Sequence, residues 1–206
     1  MATAAEVPPG EIVASADQRI VLHGVPWQHF EAILALRGDG PVPRLTYLEG
    51  ELELMTPARS HESVKKLLAR MVELYALRAG LRLSAYGSWT LRNAPKERAI
   101  EPDECYVLGD ASRKEVPDLA IEVIWTSGGV DKLEVFRGLG IGEVWQWRDG
   151  AIDIHGLEGD RYTLLARSRA FPALDVPLLA RLAGAEDQHE ALLELQAALD
   201  AQLGEP

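Results

Sequence analysis

The sequence predicts an α/β domain in which helices and a mixed sheet share one core. Three observations carry that expectation. A β-hairpin signature runs into the most regular helical period of the chain. Two short apolar strands then follow each other across a polar turn, and a helix leads from them to a further strand and a meander. With 206 residues and 47% hydrophobic content, the chain has the length of one ordinary domain and the composition of a globular one.

The expected division is a loose N-terminal segment or short edge element over residues 1–19, a single domain over 20–183, and an acidic C-terminal helix over 184–206. Residues 26–37 begin with proline and space Trp27, Phe30, Ile33 and Leu34 as one helical face. Residues 44–48 and 51–55 alternate on either side of Glu49-Gly50, which predicts a hairpin. Ser60 stands as an N-cap before Val64, Leu67, Leu68, Met71, Leu74 and Tyr75, and Gly80 closes that helix. His61 and Glu62 then read as helix-start residues, and His23 and His29 as structural or exposed ones.

Residues 81–91 supply another strand. Residues 106–108 and 119–124 supply two buried ones, joined by the turn 109–116. A short amphipathic helix follows from Val130, then a meander over 142–165 in which Trp145 and Trp147 share the core face. Residues 178–182 predict a short helix. Residues 188–203 form an amphipathic one, whose Leu192, Leu195, Leu199 and Leu203 need the body of the protein or a second subunit to cover them, so a homodimer is an expected assembly.

Composition narrows the setting. One cysteine, Cys105, excludes an intramolecular disulfide and a cysteine-rich zinc site and suits a reducing compartment. No apolar run approaches about 18 residues and no signal-peptide pattern opens the chain, so the expected location is cytoplasmic, away from the membrane. The net charge of −11 opposes indiscriminate nucleic-acid binding, yet it is unevenly spread. Residues 59–98 hold nine basic residues against three acidic ones, and from Gly184 onward there are six acids and no Lys or Arg.

The chemistry concentrates around Glu101-Pro-Asp103 and Pro117-Asp-Leu-Ala-Ile-Glu122, where carboxylates interrupt strand-like sequence. If Leu108 and Pro117 flank the turn, opposite residues of the hairpin sum to 225 and Asp103 faces Glu122, with Cβ atoms about 4.5–5.5 Å apart. A slip of one residue would put them on opposite faces. Two carboxylates that close repel unless a cation lies between them. Oxygen ligands favour Mg²⁺ or Mn²⁺, and no His or Cys cluster offers a softer site. Lys132, in the first turn of the helix that follows, points back toward this place. Phosphate loops, nucleophile elbows, dinucleotide fingerprints and zinc-helix motifs are absent.

These residues carry a resemblance. Glu101-Pro-Asp103, Pro117-Asp-Leu-Ala-Ile-Glu122-Val-Ile-Trp-Thr-Ser, Asp131-Lys132 and Gly140-Ile-Gly-Glu-Val-Trp145 resemble the Uma-type restriction endonuclease family of the PD-(D/E)XK nuclease superfamily. Tyr47-Leu-Glu-Gly-Glu-Leu-Glu-Leu-Met-Thr-Pro57 and His61 are similar too, so the likeness runs from about residue 25 to 182. It implies a restriction-endonuclease-like core of helix, three-strand meander, helix and strand. It also implies a Mg²⁺- or Mn²⁺-dependent endonuclease acting on nucleic acid, DNA first.

Asp103 and Glu122 match the family's metal-binding acids. Lysine of the usual Glu-x-Lys is replaced by Ile124, and the resemblance passes its catalytic role to Lys132. Glu101 would assist from the face of Asp103, and Asp118 reads as a strand-start residue. As a first-turn surface residue, Lys132 would contribute under ~0.5 kcal/mol to stability. The alternative from another class is a catalytically inactive, nuclease-like binding or scaffold module.

Overall fold

The computed structural model describes residues 16–125 and 128–204. The elements are β1 (Gln18–Leu22), α1 (Trp27–Arg37), β2 (Arg44–Leu48), β3 (Glu51–Thr56), α2 (Arg59–Arg78), β4 (Leu83–Ala85), β5 (Leu91–Asn93), β6 (Arg98–Ile100), β7 (Glu104–Leu108), β8 (Leu119–Val123), α3 (Lys132–Leu139), β9 (Glu143–Arg148), β10 (Ala151–Glu158), β11 (Arg161–Leu164), α4 (Val176–Ala183) and α5 (Gln188–Leu203).

The strands form two sheets rather than one. The first is antiparallel, in the order β1-β3-β2-β6-β5; the second is mixed, in the order β11-β10-β9-β8-β7-β4. Within the second, α2, β4, β7, β8, α3 and β9 follow the expected helix, three strands, helix, strand, with β5 and β6 inserted from the other sheet. The only parallel pair among the described strands is β8 with β9, and α3 makes the crossover between them.

The division has a local cause. Residues 81–91, expected as one strand, break after Ala85: Tyr86 still donates its N–H to the Cys105 carbonyl, and Gly87 then turns at φ 56°. Leu83–Ala85 pairs with β7, whereas Leu91–Asn93 pairs with β6 in the other sheet. The return crossing lies at Glu101-Pro102. Glu101 donates its N–H to Leu45 in the first sheet, and Pro102 has no N–H with which to extend that ladder. Asp103 therefore lies on the seam between the sheets.

Three apolar clusters hold the layers. The largest packs α2, α4 and α5 on the face of the second sheet that carries Tyr106, Leu119, Ile121, Trp145 and Trp147. On the opposite face, Ala120 and Val144 meet Val135 and Phe136 of α3 together with Leu91 and Ile100, which joins the two sheets. The third seats Trp27 and Phe30 of α1 on Leu45, Tyr47 and Leu52. Trp145 and Trp147 are core residues, as their period-two spacing indicates.

One expectation changes. The N-cap of α2 is Ala58, without a side-chain cap, and Ser60 lies inside the helix. Of the leucines expected to need cover, Leu195 and Leu199 of α5, with Ala191, are buried against the body of the same chain, and Leu203 stays exposed. No helix among the described residues is long and apolar enough to cross a membrane.

Gly138, inside α3, is buried against the Arg98 side chain, which Glu49 and Glu134 hold at 3.0 and 2.8 Å. A Cβ at this position would overlap Arg98 Cδ and Nε. In an open helix Gly→Ala stabilises by about 0.5–1 kcal/mol. Here Gly138→Ala is expected to destabilise by about 1–3 kcal/mol, the usual result of overpacking, with the denaturation midpoint in urea as the measurement.

Candidate active site

The β7–β8 ladder pairs Glu104 with Ile121, Cys105 with Ala120 and Tyr106 with Leu119, each pair summing to 225. The same register brings Asp103, one residue before β7, opposite Glu122. Both side chains are fully buried. On the other side of Glu122, the parallel ladder places Gln146 of β9 alongside it.

Asp103 is held from three directions. Arg44, at the start of β2, forms an ion pair with Oδ1, His61 Nε2 lies 2.9 Å from the same oxygen, and the Val123 N–H donates to Oδ2 at 2.7 Å. His61 Nδ1 in turn lies 2.8 Å from Asp17 Oδ2, while the other Asp17 oxygen accepts from the Ala58 N–H at 2.8 Å. Burial works against ionising Asp17. The bonds from His61 and Ala58, with the charges of His61 and Arg19, outweigh it and hold the carboxyl below its ordinary value.

Glu122 has one cationic partner. Lys132 Nζ lies 2.5 Å from its Oε2, and Oε1 is buried with no hydrogen-bond donor among the described residues. Asp131 caps α3 by accepting the Glu134 N–H, so Lys132 is the first residue of that helix. Its approach is fixed from the first sheet: Val130 donates its N–H to Glu53 Oε2 at 3.1 Å, and Arg19 binds both Glu53, at 3.2 Å, and the Gly128 carbonyl, at 2.6 Å. Lys132 is nearly buried, not the surface residue expected.

Around this centre lie further buried charges. Lys65 of α2, bonded to Glu62, is pushed below the ordinary lysine range by burial and by Arg44. Glu104 is pushed upward by burial against the pull of Lys66 and Lys65. Glu101 is engaged away from Glu122: Arg37, Thr90 and the Leu45 N–H occupy its oxygens, so it ties α1 to β2. Asp118 anchors its turn by accepting from Leu108 N–H and Lys114. Arg44, Asp17, Arg19 and Glu53 escaped the sequence reading. His61 did carry a signal, because it extends the buried stripe of Val64, Leu68, Met71 and Tyr75 backward by three residues.

The donor set suits a hard divalent cation. Mg²⁺ takes one or two carboxylates and completes its shell with water and phosphate oxygens, and the unpartnered Glu122 Oε1 is the atom such an ion would satisfy. No group of three His, Cys, Asp or Glu side chains converges among the described residues, which argues against an enclosed all-protein cage. Both Asp103 oxygens are already engaged, so a cation bound there takes over from Arg44.

The model of the Uma2 family, described as "Putative restriction endonuclease", matches residues 27–185. The chain belongs to that family. Among curated proteins none matches. A solved structure described as a putative nuclease belonging to DUF820, from Anabaena variabilis ATCC 29413, shares the fold at a TM-score of 0.52 with 14% sequence identity, over 83% of this chain and 98% of that one. The matched residues take in the second sheet, the first sheet apart from β1, and the residues around Asp103 and Glu122 except Asp17 and Arg19.

Two outcomes follow from the ion pairs. Lys132→Ala strands a buried carboxylate, which typically costs about 3–5 kcal/mol. Chemical denaturation at neutral pH should show a loss of that order, largely restored in the double variant with Glu122→Gln. For Asp17, a depressed folded-state value means that its stabilisation is present above the ordinary 3.8 and is lost as pH falls through the folded value. Asp17→Asn should lower stability at pH 7 and flatten its decline below about pH 4, read from thermal midpoints across pH.

Proposed function

We propose that this Uma2-family chain is a metal-dependent endonuclease that hydrolyses phosphodiester bonds of nucleic acid, DNA first, using Mg²⁺ or Mn²⁺ held by Asp103 and Glu122. The observation that supports it most is the buried pair on facing strands, with one Glu122 oxygen lacking a partner among the described residues and Lys132 at 2.5 Å from the other.

When bound, the divalent ion supplies Lewis-acid polarisation of the phosphodiester and acidifies the attacking water. The protein's own groups do the rest. His61 and the Val123 N–H keep the Asp103 carboxylate oriented. Glu122 offers Oε1 without first breaking a bond. From its place beside Glu122 Oε2, the Lys132 ammonium would offset the negative charge that grows on the phosphoryl oxygens. Water adds to phosphorus, the phosphorus–oxygen ester bond breaks, and the proton passes to the leaving oxygen.

A second reading, an inactive nuclease-like module, draws on the Arg44–Asp103 and Lys132–Glu122 pairs, which balance both carboxylates without metal. Thermal denaturation with Mn²⁺ separates the two. An ion that binds only the folded state raises stability by about 2.7 kcal/mol at a hundred times its Kd. The wild type is expected to gain stability with Mn²⁺ and to cut plasmid or single-stranded DNA, and Asp103→Asn and Glu122→Gln to lose both responses. Cutting that survives in both variants, or no Mn²⁺ response in the wild type, would sink the assignment.

Lys132 gives a sharper expectation. Lys132→Ala should reduce cutting at least 100-fold even when assayed well below its own melting temperature, and Lys132→Arg should rescue little, because a planar guanidinium does not take the place of a compact ammonium.

A further inference from the structure

Beside the buried carboxylates opens a cleft of about 310 Å³, lined by Arg19, Ile124, residues 128–133, Gln146 and Arg148. Three cations line it, against the single carboxylate of Asp131, in a chain whose net charge is −11. Asp131 is committed to capping α3. Gln146 is the register partner of Glu122, so the cleft shares the sheet face of the candidate active site.

The cations are held differently. Arg19 is fixed through Nε to Glu53 and through Nη1 to the Gly128 carbonyl, and its Nη2 makes no bond among the described residues. Lys132 is held by Glu122. Arg148, at the exposed end of β9, has no hydrogen bond or ion pair among the described residues, and neither has the Gln146 amide. Gly128 and Gly129, at φ 95° and 96°, bring backbone without side chains to the rim. A Cβ at Gly129 would overlap Glu53 Oε2, so the close approach of the Arg19–Glu53 pair to this backbone requires glycine. Unsatisfied N–H donors of this kind, planar and fork-shaped in the arginines, match a phosphate group.

We propose that this cleft binds a backbone phosphate of the nucleic-acid strand adjacent to the bond being cut, with Arg148, the free edge of Arg19 and the Gln146 amide as its donors. The proposal rests on the nuclease reading for the identity of the ligand but not for the reaction. By setting one phosphate beside Gln146, the cleft would bring the neighbouring phosphodiester alongside Glu122.

The test is binding of a fluorescein-labelled single-stranded 15-mer, followed by anisotropy in EDTA over a salt series. Each phosphate contact on a single strand contributes about 0.7 to the slope of log K against log salt. Arg148→Ala should weaken binding about tenfold at low salt and lower the slope by about that amount. Arg113→Ala removes an exposed arginine at the far end of the β7–β8 hairpin and should leave the slope unchanged. Gln146→Ala should weaken binding less, with the slope intact.

An unchanged slope in Arg148→Ala, an equal loss in Arg113→Ala, or no binding by the wild type would overturn the subsite. The reaction is scored separately. Cutting that depends on Asp103 with a salt slope indifferent to Arg148 removes the subsite alone, whereas Arg148-dependent binding without cutting removes the reaction and keeps the subsite.

Discussion

Two carboxylates with no access to water have to find positive charge within a few ångströms, and the centre of this protein is arranged around that need. Removing a carboxylate from water costs several kcal/mol even after relaxation, and an excellent ion pair is required to offset it. Asp103 and Glu122 find such pairs in Arg44 and Lys132, which come from different elements, β2 in the first sheet and the start of α3. His61 adds α2 to the set. The seam between the sheets is therefore closed by charge as well as by the apolar contacts of α3. Its geometry is fixed more narrowly than apolar packing alone would fix it, because ion pairs and hydrogen bonds tolerate little displacement.

Much of this was legible before any coordinates, and the reasons differ by element. The hairpin, α1, α2 and α5 announced themselves through period, since burial of one face leaves a trace in every third or fourth residue. The pairing of β7 with β8 rested on taking Leu108 and Pro117 as the flanks of the turn 109–116, and the ladder has the register that this assumption gives. The division into two sheets did not show: a strand that breaks at Gly87 and one that continues look alike when both halves are apolar. Arg44 and Asp17 were hidden for another reason. Nothing local distinguishes an arginine that opens a strand or an aspartate that precedes one, and their roles arise from contacts 59 and 44 residues away in sequence. Lys132 was placed correctly beside Glu122 but assigned to the surface. Its burial depends on Arg19 and Glu53, which hold the preceding loop from the other sheet.

That arrangement also accounts for a lysine arriving from a helix. In a Glu-x-Lys pattern the lysine would stand at position 124, on the strand itself. Here Ile124 donates its N–H to the Trp147 carbonyl and extends the β8–β9 ladder. The cation is carried instead by the crossover helix that parallel pairing requires. Because α3 starts just beyond the strand's carboxyl end, its first residue reaches back to Glu122 over a short distance.

The burial of α5 bears on how the protein comes into being. Ala191, Leu195 and Leu199 complete the cluster whose other half is the inner stripe of α2, more than a hundred residues earlier in the chain. During synthesis, which proceeds at about 5–20 residues per second, α2 emerges well before its cover. Its apolar stripe has to wait for α5 before the layer can close. Contacts so distant in sequence slow folding and leave apolar surface open meanwhile. When that segment docks, charge adds to the apolar contact: Arg78 near the end of α2 receives Asp200 at 2.5 Å, and Arg70 donates to Gln188 at 3.2 Å.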